Sequence, residues 1–212
     1  ILVARDIALC RLTRCRVHIA HISTEQAIRL VRRAKEDGLP ITAEATPHHL
    51  SLIDAQVGSY DTHFKMAPPL RSERDRQALQ EAVADGTVDL FATDHAPHGT
   101  IDKCVEFDQA ANGIIGLETA LPVTLKLVTE GKLSLARWVG AWTDAPAKLL
   151  GFDLPRIAVG QAANLTLFEN EKRFEFTPES ILSKSRNSPF LGEDLQGRTL
   201  MTWVNGRLAW GE

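Results

Sequence analysis

The spacing of apolar residues in the first part of the chain changes several times between the period of a helix and that of a strand. It predicts a helix over residues 1–13 and a strand over residues 16–20. A second helix follows, which Ser23 caps and Gly38 ends, and a second strand is predicted over residues 39–45. Together these segments make one strand–helix–strand step, the building unit of a parallel sheet.

A third predicted strand continues this pattern. It covers residues 88–92. Before it come a loop region, which runs from the end of the second strand through residues 66–71, and a helix that Ser72 caps and Gly86 ends. Residues 116–150 then show helical spacing alone. Three strands that alternate with helices predict the α/β fold class with a parallel sheet.

The pattern becomes strand-like from about residue 160 onwards. Strands are predicted over residues 164–168, 172–176 and 199–210. The dipeptide Asn205-Gly206 lies between two apolar runs and is a strong signal for a two-residue hairpin. We therefore divide the chain into an α/β unit, residues 1–158, and a small β unit, residues 159–212.

Composition narrows the function classes without identifying one. The chain has 212 residues, 44% of them hydrophobic, and a formal net charge of −3. This charge gives no electrostatic reason to expect nucleic acid as a partner, and no apolar run approaches the roughly 20 residues that cross a membrane. Cys10, Cys15 and Cys104 lack CxxC spacing and favour a reduced, cytoplasmic setting. Because the chain starts at Ile1 within a helical pattern, we expect further residues upstream.

Ionisable side chains follow each predicted strand. In chain order they are His21, then Glu44, His48 and His49, then Asp94, His95 and His98. The carboxyl ends of parallel strands meet at one edge of the sheet, which is where α/β folds place their sites. Pro97 prevents the third strand from continuing as a central strand, so its polar residues leave in a loop. The alternative is a surface turn whose aspartate caps a helix.

This set of side chains favours a metal-dependent hydrolase, because neutral imidazole and carboxylate are typical zinc ligands. His18 and His21 are three residues apart, so on a strand they face opposite sides, and His21 is the better ligand candidate. Asp94 is expected to ligate metal, to act as a general acid and base, or to do both.

Four motifs occur in a fixed order along the chain: HIAHIST (residues 18–24), AEATPHHL (43–50), KMAPPLR (65–71) and ATDHAPH (92–98). Two further segments, NGIIGLET (112–119) and NSPF (187–190), extend the pattern. With these motifs the chain resembles the C-terminal half of the class I dihydroorotases, which are members of the amidohydrolase superfamily.

The resemblance implies the C-terminal part of a (β/α)8 TIM-type barrel, with strands six to eight at residues 16–20, 41–45 and 88–92, and a small β-sandwich built from terminal segments. It implies two zinc ions in the complete enzyme. His21 maps to a ligand of the second zinc, and Asp94 maps to a ligand of the first zinc that is also the catalytic proton shuttle. Glu44 resembles a position near the metal in some relatives, with a salt-bridged or capping role as the alternative.

The resemblance also implies which residues contact substrate. They are His98, the backbone at Asn112 and Gly113, and the position of Ala67, where family members often carry asparagine. Since alanine has no side-chain amide, the contact at Ala67 depends on the backbone.

The activity implied is the reversible hydrolysis of the cyclic amide of dihydroorotate to N-carbamoyl-aspartate, a step of pyrimidine biosynthesis. A homodimer and an aspartate transcarbamoylase are the implied partners. The alternatives are a related cyclic amidohydrolase, an allantoinase or hydantoinase, and a non-catalytic scaffold that resembles dihydroorotase.

Only two of the family's six usual metal ligands, His21 and Asp94, lie in this chain. We therefore expect residues 1–212 alone to be inactive. We also expect the loops at the strand ends, especially residues 94–112, to be mobile, because their usual partners across the barrel mouth are absent.

Overall fold

The computed structural model describes residues 1–154 and 156–211. Its first unit contains a parallel sheet of three short strands, in the order β1-β2-β3. The strands are β1 (Val17–Ile19), β2 (Ile41–Ala45) and β3 (Leu90–Phe91). In this sheet His18 pairs with Thr42, and Glu44 pairs with Leu90, so side chains from all three strands share one face. The α/β class is confirmed.

Eight α-helices lie around and between these strands in the described residues. They are α1 (Leu2–Thr13), α2 (Glu25–Glu36), α3 (Pro47–Ser51), α4 (Glu73–Ala84), α5 (Thr100–Lys103), α6 (Leu117–Thr129), α7 (Leu135–Trp142) and α8 (Asp144–Leu150). Ser72 caps α4 as predicted. The prediction that Ser23 caps α2 is wrong, because the Thr24 side chain accepts the hydrogen bond from the Ala27 amide. Both hydroxyls suit the role, and the helix starts one residue later.

One core cluster holds the sheet against these helices. Ala43 and Ala45 of β2 and Phe91 of β3 are buried together with apolar residues on α2, α4, α6 and α7. The face of β2 that carries Ala43 and Ala45 is therefore packed, and alternation along the strand leaves Thr42 and Glu44 on the other face.

The second unit is an antiparallel sheet in the order β4-β5-β6, formed by β4 (Leu165–Glu175), β5 (Asp194–Val204) and β6 (Arg207–Gly211). The hairpin turn at Asn205-Gly206 is confirmed, with both residues at positive φ. Two predicted strands, 164–168 and 172–176, are in fact one strand whose pairing is irregular between Glu169 and Arg173. The described residues form a single sheet here, so the expected sandwich is not complete within them.

A second core cluster joins the two units. Phe176, Ile181 and Phe190 from the β unit are buried against Ile114 and Ile115, which lie in the segment after β3. The boundary at residue 158 or 159 stays a prediction, and the two units share this cluster across it. Among the described residues, no helix is both long and apolar enough to cross a membrane.

Candidate active site

The chain turns sharply after β1, and this turn places His21. The strand ends at Ile19, and His21 has a left-handed backbone with φ 50°. The expectation that His18 and His21 face opposite sides is therefore wrong, because alternation ends where the strand ends. Both imidazoles contact the same carboxylate, that of Glu44.

Glu44 is the centre of this cluster. Its Oε2 lies 3.0 Å from His18 Nε2 and its Oε1 lies 2.9 Å from His21 Nδ1. Burial alone raises the pKa of Glu44, but the two histidines outweigh it and lower that pKa to about 2. Thr42 completes the arrangement, since its Oγ1 lies 2.8 Å from His18 Nδ1. The structure shows Glu44 paired with both histidines, and a place near the metal stays a prediction.

Asp94 approaches the same cluster from the loop after β3. Its Oδ1 lies 3.6 Å from His21 Nε2, and both side chains are 26% exposed. Burial raises the pKa of Asp94, and the nearby Glu44 adds to this while His21 opposes it. The contact with Glu44 raises the pKa of His21. Like His21, Asp94 has a positive φ, of 48°, so each follows its strand through a left-handed residue.

The donor chemistry at this edge fits zinc, but the set is incomplete. His21 Nδ1 is buried and has no aligned hydrogen-bond partner, although Glu44 lies within 2.9 Å of it. Within the described ranges, no group of three or more His, Cys, Asp and Glu side chains converges as a metal site. Since catalytic zinc usually has three protein ligands, His21 and Asp94 would hold the ion only together with donors from elsewhere.

Three of the predicted substrate-binding residues, His98, Asn112 and Gly113, lie together in the segments on either side of α5. His98 Nε2 is 2.8 Å from the carbonyl oxygen of Asn112. A carbonyl only accepts, so this ring nitrogen carries the hydrogen and Nδ1 is the one left for another partner. The structure thus brings His98 and Asn112 side by side, although they are separated by 14 positions.

Gly113 uses its own backbone groups inside the protein. Its N–H donates to the Lys65 carbonyl at 3.0 Å, and its carbonyl accepts from Lys103 Nζ and Asn187 Nδ2, each at 3.1 Å. Any Cβ here would lie 2.4 Å from Ala96 Cβ, at a φ of 120°, so the position requires glycine. Of the pair Asn112-Gly113, only the Asn112 N–H has no protein acceptor among the described residues.

Ala67 lies exposed in the loop before α4. It brings no polar side-chain atom to the site, as its residue type dictates. The histidines of the second motif are not at the surface of the site either. His48 and His49 are only 2% and 4% exposed, and they belong to α3, where the sequence predicted a loop.

Two residues that matter in this region were missed. Lys103 is buried and donates to the carbonyls of Ala111 and Gly113, while Asn187 joins the same segment from the β unit. Loop 94–112 therefore has partners within this chain, and its mobility for lack of partners across the barrel mouth stays a prediction. The motif around Asn187 was a usable signal, whereas nothing in the sequence marks Lys103 as buried.

Comparison with known proteins agrees with this geometry. The model of the amidohydrolase family matches residues 3–209. A dihydroorotase of Desulforapulum autotrophicum is 48% identical over 208 residues, 98% of this chain and 49% of that protein. One of Anaeromyxobacter dehalogenans is 50% identical over 210 residues, 98% of this chain and 48% of that protein.

A solved structure, the L-hydantoinase (dihydropyrimidinase) from Arthrobacter aurescens, superimposes with a TM-score of 0.92 at 29% identity. The match covers 99% of this chain and 48% of the hydantoinase. The chain also spans about half the length of the curated relatives it matches. The resemblance to the dihydroorotases is confirmed, and the chain belongs to the amidohydrolase family.

Proposed function

We propose that this chain supplies one half of a zinc-dependent dihydroorotase, which interconverts dihydroorotate and N-carbamoyl-aspartate. The observation that carries the proposal is the placement of Asp94, His21 and His98 at one edge of the parallel sheet. The 48–50% identity to curated dihydroorotases over nearly the whole chain supports the substrate class.

The proposal assigns β1, β2 and β3 to strands six, seven and eight of a (β/α)8 barrel. A sheet of three parallel strands with two unpaired edges supports this, because an isolated sheet of that kind leaves backbone groups without partners. The apolar side chains of Leu165, Leu167 and Leu208 are exposed on the antiparallel sheet, as expected for a sandwich whose second layer comes from outside this chain. We use "complete protein" for this chain joined to the half of its relatives' length that it does not span.

His21 and Asp94 are the proposed metal ligands in this chain, in a complete protein that binds two zinc ions. Bound zinc supplies a water of lowered pKa and polarises the substrate carbonyl. Asp94 would take a proton from the attacking water on a carboxylate oxygen and would deliver it to the amide nitrogen as the ring C–N bond breaks. Glu44 holds His21 in place through the 2.9 Å contact with Nδ1.

The substrate side is proposed to bind the carboxylate of dihydroorotate. Since His98 Nε2 donates to Asn112, the ring offers Nδ1, which donates to a carboxylate when the imidazole is protonated. The free Asn112 N–H is a second donor beside it. These two groups fix the ring of the substrate over the metal side, which lowers the entropic cost of reaction. The contact at Ala67, the homodimer and the aspartate transcarbamoylase partner stay predictions.

Asp94→Ala in the complete protein tests this function. We expect turnover to fall about 1,000-fold or more in both directions, because one residue supplies both a metal ligand and the proton transfer. Rates with dihydroorotate, hydantoin and allantoin are measured side by side, and circular dichroism checks the fold. Asp61→Ala, in an exposed loop, is the matched control and should retain activity.

Two results would contradict the proposal. Near-normal hydrolysis of dihydroorotate by Asp94→Ala would remove the assigned role of this carboxylate. A wild-type protein that prefers hydantoin or allantoin would assign the site to another cyclic amidohydrolase, and a wild type inactive with all three substrates would favour the scaffold.

A further inference from the structure

We propose that Asn187 is a positioning residue, which fastens the His98 loop and the Asn112–Gly113 segment into one substrate-binding wall. The wall is defined here as residues 96–98 and 112–113. The role in substrate binding rests on the proposed function, whereas the fastening itself follows from contacts within the chain.

The carboxamide of Asn187 bridges the two segments of the wall, residues 96–98 and 112–113. Its Nδ2 donates to the Ala96 carbonyl at 2.9 Å and to the Gly113 carbonyl at 3.1 Å. Its Oδ1 accepts from the His98 amide at 3.2 Å. One side chain thus contacts both segments that carry the proposed substrate donors.

Asn187 cannot itself contact substrate in this arrangement. Its residue is 3% exposed, and both N–H groups and the oxygen of the amide already have protein partners. Any effect on substrate must therefore pass through the backbone positions that it holds. This separates Asn187 from His98, whose ring is at the surface of the wall and keeps Nδ1 available.

A second donor strengthens the fastening at Gly113. Lys103 Nζ also donates to the Gly113 carbonyl, at 3.1 Å, and to the Ala111 carbonyl at 2.9 Å. A carbonyl oxygen has two lone pairs, so Lys103 and Asn187 together occupy the acceptor capacity of Gly113. A buried carbonyl that loses a partner is costly, and this makes the segment sensitive to either substitution.

The fastening reaches the wall from a distant part of the sequence. Asn187 is 91 positions from Ala96 and 74 from Gly113, and it belongs to the β unit. Its backbone is anchored as well, since its carbonyl accepts from the Ile115 amide at 3.0 Å. Nearby, Phe190 packs in the cluster that contains Ile114 and Ile115. The β unit therefore sets the position of the wall through the segment that carries Asn187.

The test compares Asn187→Ala with Asn164→Ala in the complete protein. Asn164 is the matched control, an exposed asparagine in the same unit whose Oδ1 accepts from the Asn205 amide, away from the wall. Amide hydrogen exchange is measured by mass spectrometry for peptides that cover residues 94–99 and 111–116, together with kcat and KM for dihydroorotate.

For Asn187→Ala we expect exchange in both peptides to rise about tenfold or more, because two carbonyls and one amide lose their partner. We also expect KM to rise about tenfold with kcat changed less than about threefold, since the wall makes a ground-state contact. Asn164→Ala should change neither quantity. Should Asn187→Ala fail to fold, Asn187→Ser, which keeps one donor, should show smaller changes of the same kind.

Unchanged exchange in either peptide would overturn the fastening, and raised exchange with unchanged KM would overturn the role in substrate binding. A wild type without turnover would instead overturn the proposed function. In that case, exchange in the two peptides still decides whether Asn187 holds the wall.

Lys103→Met gives an independent check of the same wall. The substitution keeps the length of the side chain and removes the donor to Gly113 and Ala111. We expect faster exchange in residues 111–116 and little change in 94–99, because the carbonyls to which Lys103 donates are those of Lys65, Ala111 and Gly113. Equal acceleration in both peptides would show that the wall responds to any loss of packing, and would overturn a specific role for Asn187.

Discussion

The candidate site has a substrate side, residues 96–98 and 112–113, and a metal side with His21 and Asp94. The two sides differ in how many of their polar groups form hydrogen bonds within this chain. On the substrate side, the carbonyls of Ala96, Asn112 and Gly113 all accept hydrogen bonds from side chains of the same chain. On the metal side, Glu44 Oε1 faces His21 Nδ1 at 2.9 Å, whereas His21 Nε2 lies 3.6 Å from Asp94 Oδ1, beyond hydrogen-bond distance. The carbonyls of the substrate side thus have their partners within this chain, and we call this the closed side. On the metal side, the described residues supply no third ligand beside His21 and Asp94.

This difference indicates which parts of the site this chain would supply and which would come from the half of its relatives' length that it does not span. Because His21 Nε2 and the Asp94 carboxylate are too far apart to hydrogen-bond with each other, and both side chains are 26% exposed, both remain available to an ion. The substrate wall needs nothing further, since Lys103 and Asn187 supply its donors from within. We therefore infer that this chain carries a finished substrate wall and part of a metal centre.

The largest effect is expected for the chain by itself. Residues 1–212 without the other half should bind zinc weakly, form no ordered binuclear centre and show no dihydroorotase activity, because two ligands do not complete a catalytic site. Elemental analysis and a turnover assay check this, and addition of the other half should restore both together. Measurable turnover by the purified chain, free of any longer form by mass spectrometry, would contradict the inference that the metal centre is incomplete in this chain.

The next effect separates the sides by one substitution on each. In the complete protein, His21→Ala should lower the zinc content from two ions towards one, since it removes a ligand. His98→Ala should leave the zinc bound and raise KM for dihydroorotate about tenfold, because it removes a hydrogen bond to a charged group. Zinc loss from His98→Ala but not from His21→Ala would invert the assignment.

The sequence predicted the strands, helix caps and turns around the site better than the contacts between its side chains. Periodicity and caps predicted all three parallel strands, the start of α4 at Ser72 and the hairpin at Asn205-Gly206. These features depend on residues close in sequence. The shared contact of His18 and His21 with Glu44 was not predictable, because it depends on the left-handed turn that follows β1.

The sequence pattern also did not predict the long-range contacts of Asn187 and Lys103. Asn187 was noticed only as part of a motif, and its partners lie 74 to 91 positions away. Lys103 is a charged residue at the end of the short helix α5, and its residue type would place it at the surface. It is instead buried, since three backbone carbonyls converge on its ammonium group.

The smallest effect concerns His49 of α3, a buried histidine outside the substrate wall. His49 is buried, with Nδ1 2.7 Å from Thr46 Oγ1 and Nε2 2.9 Å from the Pro68 carbonyl. The carbonyl accepts, so Nε2 carries the hydrogen and Nδ1 accepts from Thr46. Burial is the main reason that the pKa of His49 is lowered to about 4.

The sign of the pH effect follows from this lowered pKa. His49 is neutral when folded, while an unfolded histidine with a pKa near 6.5 takes up a proton first. Stability is therefore fully present above about pH 6.5 and falls as the pH drops towards 4. The loss is about 1 kcal/mol per pH unit once the unfolded histidine is protonated. His48, whose pKa burial also lowers, adds to the loss in the same direction.

Urea unfolding of the complete protein between pH 7 and pH 4.5 measures this effect, with His49→Gln as the variant. The glutamine amide retains a donor for Pro68 and an acceptor for Thr46 but does not titrate, so the fall of stability with acid should become shallower. Leu50→Ala is the matched control, because it removes buried apolar surface in the same helix and should lower stability equally at every pH. If His49→Gln and wild type show the same slope, the titration of His49 does not cause the loss of stability in acid.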